Sequence, residues 1–218
     1  MSQSIDDKLA ALAQFVSRLD LPTPTALVPD GEFRWLSIDA ELEGDLADCR
    51  VLVVGANAVE DARAFATRDA RYVMACALES DRGPSHNGSE QRIDVQPLTW
   101  RELDPGENGR FDLVLCNDLV HRVREPLTLL TTLRAMTNDG GTLLISSLMI
   151  DDPERSEYLR FVPCRDGGAE SWWFVPGRLA FRWLVQAAGF DVVAEFGERE
   201  GPRDLFPAVA GYLRATAS

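Results

Sequence analysis

The sequence predicts an α/β protein, a doubly wound and mostly parallel sheet preceded by an N-terminal helical extension. Three observations carry this. From Arg50 onward, short apolar runs recur, amphipathic stretches separate them, and polar or glycine-containing turns mark most of the changes. A continuous run such as Val51, Leu52, Val53 and Val54 belongs to a strand buried on both faces, as parallel strands covered by helices are. In such a sheet the ligand belongs at the carboxyl ends of the strands.

The elements follow in order. Ser4 to Leu19 repeats apolar residues at helical spacing, with Asp6 and Asp7 in the first turn, where the helix dipole favours them. Residues 21–35 hold Pro22, Pro24, Pro29 and Gly31 and read as an extended connector. Residues 1–47 thus form a helix and connector, and residues 48–218 the α/β domain. The first strand ends at Gly55, residues 58–69 read as a helix, and Arg71 to Cys76 as the second strand. After a polar loop, a weak strand is expected around Gln91 to Val95, closed by Asp94. Phe111 to Cys116 is a buried strand and Pro126 to Met136 a helix. The turn Asn138 to Gly141 then opens a strand over Thr142 to Ile150. A polar segment holding Trp172 and Trp173 leads to a helix over Arg178 to Ala188, capped by Gly189, and to strands over Asp191 to Phe196 and Ala208 to Leu213.

Composition narrows the function. The chain has 218 residues, with 35 Asp and Glu against 22 Lys and Arg, a net charge of −13, and Lys8 is its one lysine. That field repels phosphate backbones and acidic membranes, so a nucleic-acid partner is disfavoured and a small-molecule substrate preferred. Cys49, Cys76, Cys116 and Cys164 form no CxxC, and only His86 and His121 could assist them, so no metal site is expected. No basic segment precedes an apolar one and no apolar run approaches 18 residues, which points to a cytoplasmic protein with free thiols and no membrane contact. A homodimer or a protein partner stays open.

The succession VLVVGANA, RYVMAC, FDLVLCNDLVHRVREPLTLLTTLRAMTNDGGTLLIS and LVQAAGFDVV resembles class I S-adenosylmethionine-dependent methyltransferases over roughly residues 48 to 215. Within that superfamily, NDLVHRVREP and WWFVP are similar to the branch that contains tRNA wobble-uridine methyltransferases. The resemblance implies a Rossmann-like methyltransferase fold of seven strands, the last antiparallel, with S-adenosylmethionine as cofactor. Departures accompany it. Of the glycines usual in the first loop only Gly55 is present, followed by Ala56, Asn57, Ala58 and Val59. Cys76 stands where the family places an acid for the ribose hydroxyls, and Glu79 follows three residues later. Val120 and Ser146 replace a Tyr and a Glu frequent in the wobble-uridine branch.

Two function classes compete. One is a methyltransferase acting on a small molecule. The other is a methyltransferase-fold protein that has lost cofactor binding, a pseudoenzyme serving as binding module or partner subunit. A nicotinamide-dependent reductase fits the sheet but lacks GxGxxG. The resemblance assigns Gly55, Asn57 and Ala58 to the cofactor loop, Cys76 or Glu79 to the ribose, and Asp94 to the adenine or to a turn. Asn117, Asp118 and His121 follow the strand Phe111 to Cys116, at the edge where the methyl group would lie. His121 reads either as general base or as packing over a helix start that Asn117 or Asp118 caps. Trp172 and Trp173 read either as a lid on the substrate pocket or as anchors of the last helix.

Overall fold

The structure, a computed structural model, describes residues 38–42, 44–55, 57–77, 93–96, 98–162, 173–200 and 208–218. The expected N-terminal helix and connector, Ala56, Glu79, His86, Cys164 and Trp172 lie outside them.

The strands are β1 (Arg50–Gly55), β2 (Tyr72–Ala77), β3 (Ile93–Gln96), β4 (Phe111–Asn117), β5 (Thr137–Ile150), β6 (Leu159–Phe161), β7 (Phe174–Pro176), β8 (Phe190–Glu200) and β9 (Ala208–Ala217). The helices are α1 (Ala58–Thr67), the single turn α2 (Pro105–Asn108), α3 (Pro126–Met136) and α4 (Arg178–Ala187). Seven strands form one sheet in the order β3-β2-β1-β4-β5-β9-β8. The pairs β1–β2, β1–β4, β2–β3 and β4–β5 are parallel, whereas β9 runs antiparallel to both β5 and β8. Insertion of β9 between β5 and β8 departs from the dinucleotide-binding order 3-2-1-4-5-6 and leaves no support for the reductase.

Strand pleating sorts the core into two layers. Leu52, Val54, Met74, Cys76, Val114 and Cys116 share one cluster with Leu129, Leu130 and Leu133 of α3 and Phe181 and Val185 of α4. Val51, Val53, Val73, Ala75, Leu113 and Leu115 cluster on the other side with Ala58, Ala62 and Phe65 of α1. Helices therefore cover both faces, which explains the continuous apolar runs.

The boundaries differ from expectation in instructive ways. β3 ends at Gln96, and Asp94 is its second residue, opposite Met74, rather than its close. β5 begins at Thr137 because the expected turn is a bulge within the strand: Phe111 pairs with Thr137 and Leu113 with Thr142. Gly140, at φ +76°, turns the chain there. The last two strands extend further than their apolar cores suggest, to Glu200 and Ala217. A small antiparallel hairpin of β6 and β7 was not anticipated, because three-residue strands carry too little periodicity to register.

Candidate functional site

β1 and β4 end side by side, Gly55 paired with Asn117. The contact leaves no room for a side chain. A Cβ on Gly55 would stand 2.1 Å from the Asn117 carbonyl oxygen, and Gly55 has φ +114°, where L side chains are strained. The chain then enters α1 through Asn57 at φ +61°, a left-handed conformation that asparagine tolerates better than most residues.

The Asn117 side chain is 1% exposed. Its Nδ2 donates to Oδ2 of Asp61 at 2.5 Å, a carboxylate buried on the inner stripe of α1. The bond orients the amide, since the flipped form would set two oxygens against each other. It also leaves Asn117 Oδ1 buried without a hydrogen-bond donor among the described residues. A buried unsatisfied acceptor costs about 1–3 kcal/mol, so this oxygen is suited to an incoming N–H or O–H.

Asp118 continues the turn at φ +50°. Its N–H donates to Ser146 Oγ on β5 at 2.8 Å, and the same hydroxyl donates to Asp118 Oδ1 at 3.3 Å. Ser146, noted from the sequence as a departure, thus clamps the turn between strand and helix.

His121 lies in the short 3₁₀ turn Val120–Arg122 and is 3% exposed. Its Nδ1 accepts the Leu148 N–H at 3.2 Å, so the neutral ring carries its proton on Nε2. Burial, helped by neighbouring Arg122, lowers its pKa from 6.5 to about 3. The neutral ring pins the turn to β5 by accepting at Nδ1, and both features oppose the use of Nδ1 as a general base.

The other half of the edge is apolar. Cys76, 2% exposed, shares a buried cluster with Trp100, Leu103, Leu119 and Val120. Desolvation, with a smaller contribution from Asp94, pushes its thiol pKa up to about 12, so it offers neither charge nor a strong acceptor. Asp94 stands two pairs further from the edge than Gln96, and its Oδ2 accepts from Tyr72 Oη and Gln96 Nε2, each at 2.8 Å. No described carboxylate occupies the end of β2.

Trp173 precedes β7 and bridges two elements: its N–H donates to the His121 carbonyl at 2.8 Å, and its own carbonyl accepts the Val162 N–H at 2.9 Å. The Arg124 guanidinium lies over its ring, with Cζ 4.5 Å from the centroid. The structure thus brings together Gly55, Asn57, Asn117, Asp118 and His121, with Trp173 alongside, and sets Asp94 apart. Asp61 and Ser146 were not proposed as site residues. An acidic residue on the apolar stripe of the helix was the sequence signal for Asp61.

The sequence pattern of the methyltransferase-domain family matches residues 6–195. Over 107 residues the chain is 34% identical to the tRNA U34 carboxymethyltransferase of Shewanella woodyi, a match that covers 48% of this chain and 31% of that one. The chain spans about a third of the length of this curated relative. The 1,6-didemethyltoxoflavin-N1-methyltransferase of Burkholderia thailandensis, solved with 1,6-didemethyltoxoflavin and S-adenosylhomocysteine, superposes with a TM-score of 0.62 at 20% identity, covering 100% of this chain and 92% of that one. The N-terminal domain of EvdMO1, solved in the presence of S-adenosylhomocysteine and D-fucose, gives 0.60 at 16% identity over 99% and 98% of the two chains. At these identities the two likenesses establish the fold.

Proposed function

Since the chain belongs to the methyltransferase-domain family, we propose that it transfers a methyl group from S-adenosylmethionine to a small-molecule acceptor. The observation that carries this reading is the buried, donorless Asn117 Oδ1 at the joined ends of β1 and β4.

The residues fit the amino-acid end of such a cofactor. Asn117 Oδ1 is a ready acceptor for an ammonium N–H, and Gly55 has no side chain beside it. They do not fit the sugar end in the family's usual way, because Cys76 lacks the acceptor strength to grip two ribose hydroxyls. When bound, S-adenosylmethionine supplies an electrophilic methyl carbon on a sulfonium, which an acceptor nucleophile takes while sulfur keeps the bonding pair. The protein's part is positioning. Asp61 aims the Asn117 amide, Ser146 fixes the Asp118 turn, and His121 ties that turn to β5. With His121 neutral and its Nδ1 engaged, the acceptor either arrives as a basic nucleophile or yields its proton to water.

Thermal unfolding of the full chain with and without millimolar S-adenosylhomocysteine tests this. A ligand present at 100 times its Kd stabilises the folded state by about 2.7 kcal/mol, which for a chain of this size raises Tm by roughly 5–10 °C. An unchanged Tm would reject the reading.

The apolar environment of Cys76 favours a second reading, a methyltransferase-fold protein that acts without the cofactor. A rise in Tm with S-adenosylhomocysteine would dismiss it.

A further inference from the structure

Several arginines of the chain are neutralised by acids, and Arg124 is not. Arg68, Arg134, Arg178 and Arg182 each pair with a carboxylate, on Asp39, Asp139, Glu198 and Glu195 respectively. Glu125, the acid adjacent to Arg124 in sequence, pairs instead with Arg101 at 3.1 Å. Among the described residues, Arg124 has no carboxylate partner, and its guanidinium lies over the Trp173 ring. Arg63 and Arg71 are also exposed without a carboxylate partner among the described residues, and what sets Arg124 apart is the Trp173 ring beneath it.

Its position ties it to the site. Arg124 follows the turn that holds His121, and the Trp173 backbone is hydrogen-bonded to the His121 carbonyl. Phe161, 41% exposed, lies with its ring centroid 6.4 Å from that of Trp173. An aromatic surface and a guanidinium lying over it therefore flank the polar turn. A guanidinium held over a ring and without a carboxylate partner keeps N–H donors for an incoming ligand, and its planar fork can offer two of them to the oxygens of a carboxylate or phosphate.

We infer that Arg124 and Trp173 form the acceptor's subsite, and that the acceptor is a small molecule carrying an oxyanion next to a flat or apolar body. This rests on the methyl-transfer reading for the word acceptor, but binding of the anion does not require the cofactor.

Titration of the full chain with benzoate, phenyl phosphate and neutral benzamide, followed by calorimetry, tests the inference. Benzoate or phenyl phosphate should bind at least tenfold more tightly than benzamide, and whichever does so identifies the oxyanion. Arg124→Gln should abolish that preference and leave benzamide unchanged. Arg63→Gln, which removes an exposed positive charge on α1, should leave the preference intact. Equal binding of all three compounds, or a preference that survives Arg124→Gln, would overturn the inference. So would salt-sensitive binding of a short single-stranded RNA in place of the small anions. Retention of the S-adenosylhomocysteine effect on Tm alongside equal binding would overturn the subsite alone, whereas an anion preference without that effect would support the subsite and reject methyl transfer.

Discussion

Along one edge of the sheet, the ends of β1, β4 and β5 and the ends of β2 and β3 have taken opposite courses. Above the first group, Asp61, Asn117, Asp118, Ser146 and His121 form a buried or half-buried polar network pinned by a glycine with no room for a side chain. Above the second, Cys76 is absorbed into an apolar cluster, and Asp94 spends one oxygen on Tyr72 and Gln96. Buried polar groups are costly unless they are satisfied, so a network that leaves one acceptor open is shaped around a missing donor. The thiol side carries no such debt. On the proposed reading, the difference sets a polar half facing the cofactor's amino-acid end beside an apolar half facing its sugar.

The largest effect is expected at the junction of the two halves. Gly55→Ala places a Cβ 2.1 Å from the Asn117 carbonyl oxygen at φ +114°, so one strand end must move. Urea unfolding should register a loss of about 3 kcal/mol or more. A variant as stable as the parent would show that the strand ends are not locked together.

Cys76→Asp acts on the weak half alone. A carboxylate that bonds a ribose hydroxyl contributes about 1.5–3 kcal/mol, which corresponds to tenfold or more in affinity for S-adenosylhomocysteine. Unchanged affinity would move the deficit to the loop that contains Val59. The same variant should lower stability in the absence of ligand, because it buries a charge where the thiol is 2% exposed.

Asp61→Ala probes the polar half and strands the buried Asn117 Nδ2, at a cost of about 1–3 kcal/mol in urea unfolding. Its effect on ligand affinity should exceed that of Asp94→Asn, which touches the other half. The reverse order would invert the comparison.

The sheet was legible in the sequence because buried parallel strands announce themselves as continuous apolar runs, and Pro126 to Met136 carries its helix boundaries in a proline start and regular spacing. Methyltransferase ancestry was legible for the same reason, as an order of blocks rather than a set of side chains. The site was less so. Asn117 and Asp118 could be placed at a strand end, but the Asp61 partnership joins residues 56 positions apart and depends on how α1 rotates over β4. His121 could be read from its side chain either as a general base or as packing over a helix start. Its burial and its bond to a backbone N–H on another strand weigh toward the second reading, and only the folded chain reveals them.

A further effect, carried by one residue of the polar half, is that of pH. The folded pKa of His121, about 3, lies below its ordinary value of 6.5, so between these limits the unfolded chain binds a proton that the folded chain refuses. Its contribution to stability is complete above pH 6.5 and is lost as pH falls toward 3. The slope is at most about 1.4 kcal/mol per pH unit. His121→Gln keeps an acceptor for Leu148 and removes the titration, so its stability should fall less steeply than the parent's between pH 6 and 4. Parallel curves would mean that the ring is protonated in the fold.

The most direct test of a retained polar half beside a weakened sugar grip is calorimetric titration of the unaltered chain with S-adenosylhomocysteine. A dissociation constant in the micromolar range, or roughly −8 kcal/mol, is the predicted result. Absence of heat up to millimolar ligand would contradict the account and leave only the family membership and the fold in common with the methyltransferases.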